Sequence, residues 1–129
     1  MDLLLDRHAF LWYTGGKPEL SRNARELIED ASNNKWISVA SPWEIAIKVS
    51  IGNRIELHVP FEELFPNQVL HNGFEFLTLR WEHLRRVATL PLHHRDPFDR
   101  LIIAQSITEN MAVVSADKTF DAYGITRLW

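Results

Sequence analysis

Leu90-Pro91-Leu92-His93-His94-Arg95-Asp96-Pro97-Phe98-Asp99-Arg100-Leu101-Ile102-Ile103-Ala104-Gln105-Ser106-Ile107-Thr108-Glu109 decides the fold. Pro97 has no backbone N–H and a fixed φ, which suits the first position of a helix, so Asp96 falls at the N-cap. Apolar residues then follow at Leu101, Ile102, Ile103, Ala104 and Ile107. That is too dense for a surface helix and predicts one that is largely buried. Asp99 sits in its first turn, where the helix dipole favours a negative charge. An acid at the mouth of a buried helix is placed to face a shared cleft.

Outward from this helix, strands and helices alternate. Leu3-Leu4-Leu5 is a short apolar run ending at Asp6, the pattern of a fully buried parallel strand. A short helix follows over residues 8–13, stopped by Gly15-Gly16 and Pro18. Ser21 caps a helix expected over residues 22–33, with Ala24, Leu27, Ile28 and Ala31 on one face. Residues 36–39 read as a second strand. Ser41-Pro42-Trp43-Glu44 then gives a serine N-cap, a proline at the first helical position and a glutamate in the first turn, with a stop at Gly52. Residues 53–60 form a polar linker. Residues 61–72 are weakly helical, with a break at Pro66. Residues 75–79 are a third strand and 81–88 an amphipathic helix. Beyond the central helix come a fourth strand at 112–115, a short segment from Asp117 to Phe120, and a terminal strand at 125–128. This alternation predicts α/β architecture with a parallel sheet and helices on both faces.

The chain has 129 residues, enough for one domain with a real core. Its 46% hydrophobic content excludes a disordered chain, and a net charge of -3 excludes an overall basic nucleic-acid binder. With no cysteine there are no disulfides, thiolate zinc sites or cysteine nucleophiles. The start M-D-L-L-L-D lacks the basic residues of a signal peptide, and no apolar run reaches the ~20 residues that span a bilayer. The expectation is a soluble cytoplasmic protein with no membrane partner. Nucleotide-binding glycine loops and serine-hydrolase elbows are missing too.

Sites in open α/β sheets form outside the carboxyl ends of the strands. Asp6 ends the first strand, Glu44 and Asp99 open helices, and Asp117 follows the fourth strand, so all four acids are expected at one sheet edge. Clustered carboxylates repel one another unless a cation joins them, and oxygen-rich sites suit Mg²⁺ or Mn²⁺. Each acid also has a plainer explanation as a turn or cap residue; the metal reading rests on convergence. His93 and His94 precede the central helix and are candidate proton donors or phosphate contacts. Arg80, Arg85, Arg86, Arg95 and Arg100 cluster in sequence beside the acids, with Lys48 and Arg54 after Glu44. Such a border suits a substrate with several phosphates, with Arg85, Arg86, Arg95 and Arg100 as its candidate contacts.

Four segments in order, L-L-L-D-R-H-A-F-L-W, S-P-W-E-I-A-I-K, L-P-L-H-H-R-D-P-F-D-R-L-I-I-A-Q and V-V-S-A-D-K-T-F-D-A-Y, together with the final L-W, carry a resemblance. The chain resembles PIN-domain ribonucleases, specifically VapC-type toxins of bacterial toxin–antitoxin pairs. The resemblance implies a PIN-like three-layer α/β/α fold in a single domain over residues 1–129. It implies a Mg²⁺-dependent endoribonuclease toxin with Asp6, Glu44, Asp99 and Asp117 as metal-binding and catalytic acids. Asp99, rather than the N-cap Asp96, takes the third place. It further implies a homodimer, structured RNA such as tRNA as substrate, and a cognate VapB-type antitoxin. Arg7 departs from the threonine common after the first acid, and Ser115 from the threonine that often precedes the last. The residues themselves add an antitoxin groove: Phe10, Leu11, Trp12 and Tyr13 beside Asp6, and Trp43 beside Glu44, offer apolar area for an amphipathic helix. Alternative functions are a phospho-accepting signalling domain and a catalytically inactive α/β binding module.

Overall fold

The structure, a computed structural model, describes residues 1–52, 55 and 57–129. In chain order the elements are β1 (Asp2–Leu5), α1 (Arg7–Thr14), α2 (Arg22–Glu29), β2 (Asn34–Ser38) and α3 (Ala40–Ser50). A kinked helical stretch then ends in α4 (Val69–His71), followed by β3 (Phe74–Leu77), α5 (Trp81–Thr89), α6 (Pro97–Glu109) and β4 (Ala112–Val114). A short 3₁₀ helix (Lys118–Tyr123) and β5 (Arg127–Leu128) complete the chain. The five strands are all parallel, in the order β3-β2-β1-β4-β5.

The central place of β1 follows from its composition. Leu3, Leu4 and Leu5 are all fully buried, which only a strand covered on both faces allows. Successive side chains point to opposite faces. Leu3 and Leu5 enter one core with Ala9 and Phe10 of α1, Ala24 and Ile28 of α2, and Leu64, Phe65 and Val69. Leu4 enters a second core with Leu101, Ile102 and Ile103 of α6, Val113 of β4 and Phe120. Each such side chain contributes about 2 kcal/mol by leaving water. One sheet between two helical layers is the expected α/β/α sandwich.

Three details differ from the sequence reading. α2 stops at Glu29, because Asp30 leaves helical geometry with ψ 113° and turns its carboxylate onto Ser32. α3 begins one residue before Ser41, which is therefore not the N-cap. The Ser38 hydroxyl instead accepts the Ala40 N–H, and the Ser41 hydroxyl is buried without a hydrogen-bond partner. Pro42 is then the third helical residue, still among the first four whose N–H groups have no partner within the helix. Glu44 moves into the second turn. Arg54 and most of the predicted linker's start lie outside the described residues. The break at Pro66 is present: Phe65 leaves helical geometry, as the residue before a proline tends to.

Candidate metal centre

Asp6 begins α1 at the carboxyl end of β1. Its Oδ1 accepts the Ala9 N–H at 2.8 Å, the hydrogen bond of an N-cap. Its Oδ2 accepts the Ser115 hydroxyl at 2.5 Å from the end of the neighbouring β4. Asp117 divides its carboxylate the same way. Oδ1 accepts the Thr119 N–H and hydroxyl, capping the 3₁₀ helix, while Oδ2 lies 3.1 Å from His94 Nε2. Asp96 Oδ1 accepts the N–H groups of Phe98 and Asp99, both at 2.9 Å. Capping fully accounts for that contact, and it sets the angle at which Asp99 leaves the first turn of α6.

Asp99 Oδ2 lies 3.1 Å from the same His94 Nε2. His94 Nδ1 accepts the Asp96 N–H, so Nε2 carries the ring proton and bridges two carboxylates. The ligating atoms of His94, Asp99 and Asp117 lie within 4.8 Å of one another. Asp6, Asp99 and Asp117 line one cavity of about 320 Å³ together with Arg7, His8, Trp12 and Ala116.

Burial pushes Asp6 up to about 6 against the pull of Ser115 and Ala9. Burial and then the neighbouring Asp96 raise Asp99 to about 7; Asp6 and Glu44 push the same way and His94 opposes them. Burial works against the charge on Asp117, yet its Thr119 and His94 contacts outweigh it and hold the carboxyl below the usual range. Burial lowers His8, and the cations Arg7 and Lys48 lower it further.

Glu44 stands apart. It is buried, but its Oε2 lies 3.2 Å from Arg7 Nη1 and 3.4 Å from Lys48 Nζ. Its charge reaches Asp99, while its carboxylate is held by two cations of its own chain. The other acids fit a small divalent cation: carboxylate oxygens, held together by the His94 Nε2 proton, and a repulsion at Asp99 that two positive charges would relieve.

The arginines divide. Arg95 is exposed between His94 and Asp96. Arg100 turns inward, its guanidinium donating to the carbonyls of Val87, Leu90, Pro91 and His94 and to the Tyr123 hydroxyl. Arg85 and Arg86 are not brought to the acids. They border a surface depression with Glu82, Thr89, Ile107 and Thr108, and Arg86 also lines a second one with Met1, Asp2 and Ala112 at the amino ends of β1 and β4. The aromatic run near Asp6 also divides. Phe10 is core and Tyr13 packs edge-on against Phe74, leaving Leu11 and Trp12 facing a cavity. Trp43 is 58% exposed, edge-on to Phe98. By sequence His94 is a candidate proton donor or phosphate contact on a loop; the structure places its ring between Asp99 and Asp117.

The chain matches the model of the PIN domain over residues 3–125, and it belongs to the PIN-domain family. Among solved structures similar to it is VapBC2 from Rickettsia felis bound to a DNA fragment from its promoter. The identity there is 14%, the TM-score 0.69, and the match covers 99% of this chain and 98% of that one. VapBC-1 from nontypeable Haemophilus influenzae is similar at 13% identity and TM-score 0.66, covering 99% and 97%. FitAcB from Neisseria gonorrhoeae is similar at 14% identity and TM-score 0.65, covering 98% and 96%. No curated protein matches the sequence significantly. Among the described residues no helix is long and apolar enough to cross a membrane.

Proposed function

We propose that this protein is a divalent-metal-dependent endoribonuclease and the toxin of a toxin–antitoxin pair. The observation that carries the reading is the convergence of Asp99 and Asp117 on one point, with Asp6 lining the same cavity at the carboxyl ends of β1 and β4. Asp6, Asp99 and Asp117 would hold the ion, with Glu44 behind them. A bound Mg²⁺ or Mn²⁺ supplies a water of lowered pKa and neutralises charge on the phosphate oxygens. The chain's own groups do the positioning. The caps fix three carboxylates in rigid helix starts, and Ser115 fixes the orientation of Asp6. His94 holds Asp99 and Asp117 together and carries a proton at Nε2 facing the cavity. Arg7 and Arg95 are cations close enough to meet a phosphate backbone.

The toxin reading draws on neighbours whose names describe toxin–antitoxin complexes, here similar in fold. We propose a cognate antitoxin that blocks this cavity with a cationic side chain, and a homodimer. Val39, Trp43, Ile47 and Ile51, exposed at four-residue spacing along α3, give a second copy apolar surface to cover. The cytoplasm is the compartment this pairing requires. A catalytically inactive module is the second reading, since Glu44 is occupied by cations. Titration with Mn²⁺ and cleavage of labelled RNA test both. Tight Mn²⁺ binding with cleavage lost in Asp99→Asn supports the nuclease; no Mn²⁺ binding sinks it.

A further inference from the structure

Beside the acid cavity lies a second one, of about 400 Å³, lined by Arg7, His8, Trp12, Lys17, Lys48 and His58 together with Leu11, Glu19, Ile55 and Leu57. The two share Arg7, His8 and Trp12, so they adjoin across the first turns of α1. Their charge is opposite. The second offers three cations and two imidazoles against a single acid among its described lining residues. Lys17 is brought there by a fold in the chain: its N–H bonds the Trp12 carbonyl at 2.8 Å, after a turn through Gly16 at φ +61°. Gly15 in that turn is closely approached: a Cβ would stand 3.0 Å from the Leu11 carbonyl oxygen and 3.3 Å from His58 Nδ1. Trp12 is braced on one side by Trp129, ring centroids 5.9 Å apart, and accompanied by the His8 ring at 5.3 Å.

A rigid indole among cations, next to a metal-type site, is the pattern of a single-stranded nucleic-acid track: charge follows the backbone and an aromatic face stacks a base. Resting on the ribonuclease reading, we propose that RNA flanking the scissile phosphate crosses α1 into this second cavity. Its phosphates meet Arg7, Lys17 and Lys48, and one base stacks on Trp12. Glu44 acquires a role in this arrangement. It is the buried anion that holds Arg7 and Lys48 side by side at the boundary between the cavities.

The test is anisotropy of a labelled 12-nucleotide uridine RNA on Asp99→Asn protein in Mg²⁺, where cleavage is blocked. Adding Lys17→Glu should weaken binding about tenfold and flatten the salt dependence by about one ion. Trp12→Leu should weaken it about tenfold with the slope unchanged, and Trp12→Phe should restore most of the loss. Arg85→Glu, on the other side of the molecule, should bind as its parent. Wild-type affinity in both Lys17→Glu and Trp12→Leu overturns the track, as does Trp12→Phe binding no better than Trp12→Leu. If Lys17→Glu keeps RNA but loses a co-expressed protein partner, the cavity is a protein groove and the proposal falls. Cleavage by the wild type is scored separately. Intact RNA with Lys17-dependent binding fails only the nuclease reading; normal cleavage with Lys17-independent binding fails only the track.

Discussion

Between α5 and α6, His83 and Gln105 are fully buried, with Arg80 and Glu109 at the rim. At the carboxyl ends of β1 and β4, His94 meets Asp99 and Asp117. Both clusters join a histidine to carboxylates beside the start of a helix, and in both a histidine Nδ1 accepts a backbone N–H, from Arg80 in one and Asp96 in the other. Their remaining valences differ. Glu109 is consumed by the Arg80 guanidinium, and His83 Nε2 faces it at 3.7 Å with no cavity beside them among those described. Asp6, Asp99 and Asp117 spend at most one oxygen on the backbone; the other meets only a side chain, Ser115 for Asp6 and His94 for Asp99 and Asp117, and all three residues line a cavity. The first cluster fastens two helices, and its unpaired His83 Nε2 and Gln105 Oε1 are sealed from solvent. The second has coordination left over, and that surplus is what chemistry can use.

The largest expected effect separates the two at once. Asp99→Asn should lower RNA cleavage by about 10²–10³-fold, the scale of losing a charge-stabilising group, and weaken Mn²⁺ binding while the protein stays folded. Retained cleavage in the purified variant would make the second cluster as inert as the first. His83→Ala should do the reverse. Losing a fully buried ring and its contacts costs about 2–4 kcal/mol by urea unfolding, with cleavage per folded molecule within about twofold of wild type.

The pH dependence sharpens the contrast. Asp6 at about 6 and Asp99 at about 7 stand above the ordinary value of 3.8. Through that window the folded protein holds more protons at these groups than the unfolded chain, so their contribution to stability falls as pH rises. In EDTA, Asp99→Asn should therefore melt higher than wild type at pH 8 and converge with it near pH 4. A difference that is the same at both pH values would remove the electrostatic explanation. Smallest of all, Arg80→Ala should cost at most ~1 kcal/mol, because that guanidinium is half exposed. A larger loss would mean that the closed cluster depends on its rim rather than on His83.

Much of this was legible in the sequence, for identifiable reasons. Buried strands announce themselves as Leu3-Leu4-Leu5 and Val113-Val114, and Asp96-Pro97 marks a helix start with only one sensible reading. The acids looked ambiguous because cap and ligand were treated as alternatives. Asp6 and Asp117 are caps through Oδ1, and that leaves Oδ2 for the site. Spacing could not reveal that Arg100 is spent on carbonyls while Arg95 is not, since both decorate the same short stretch. Nor could it show His94 beside Asp117, 23 residues away, because a loop residue obeys no period. Ser41 misled for a local reason: Ser38, three residues earlier, supplies the same kind of hydroxyl and reaches the helix first.

The hydrogen bond from Ser115 to Asp6 joins residues 109 apart in the chain. β1 comes from residues 2–5 and one of its two neighbours, β4, from residues 112–114, so β4 can join it only after the elements between them are made. Until then Asp6 has no Ser115 to orient it and no Asp117 across the cavity. A chain that lacks β4 and the segment after it therefore leaves Asp6 unanchored and without Asp117, and the acid cluster is complete only once both are in place.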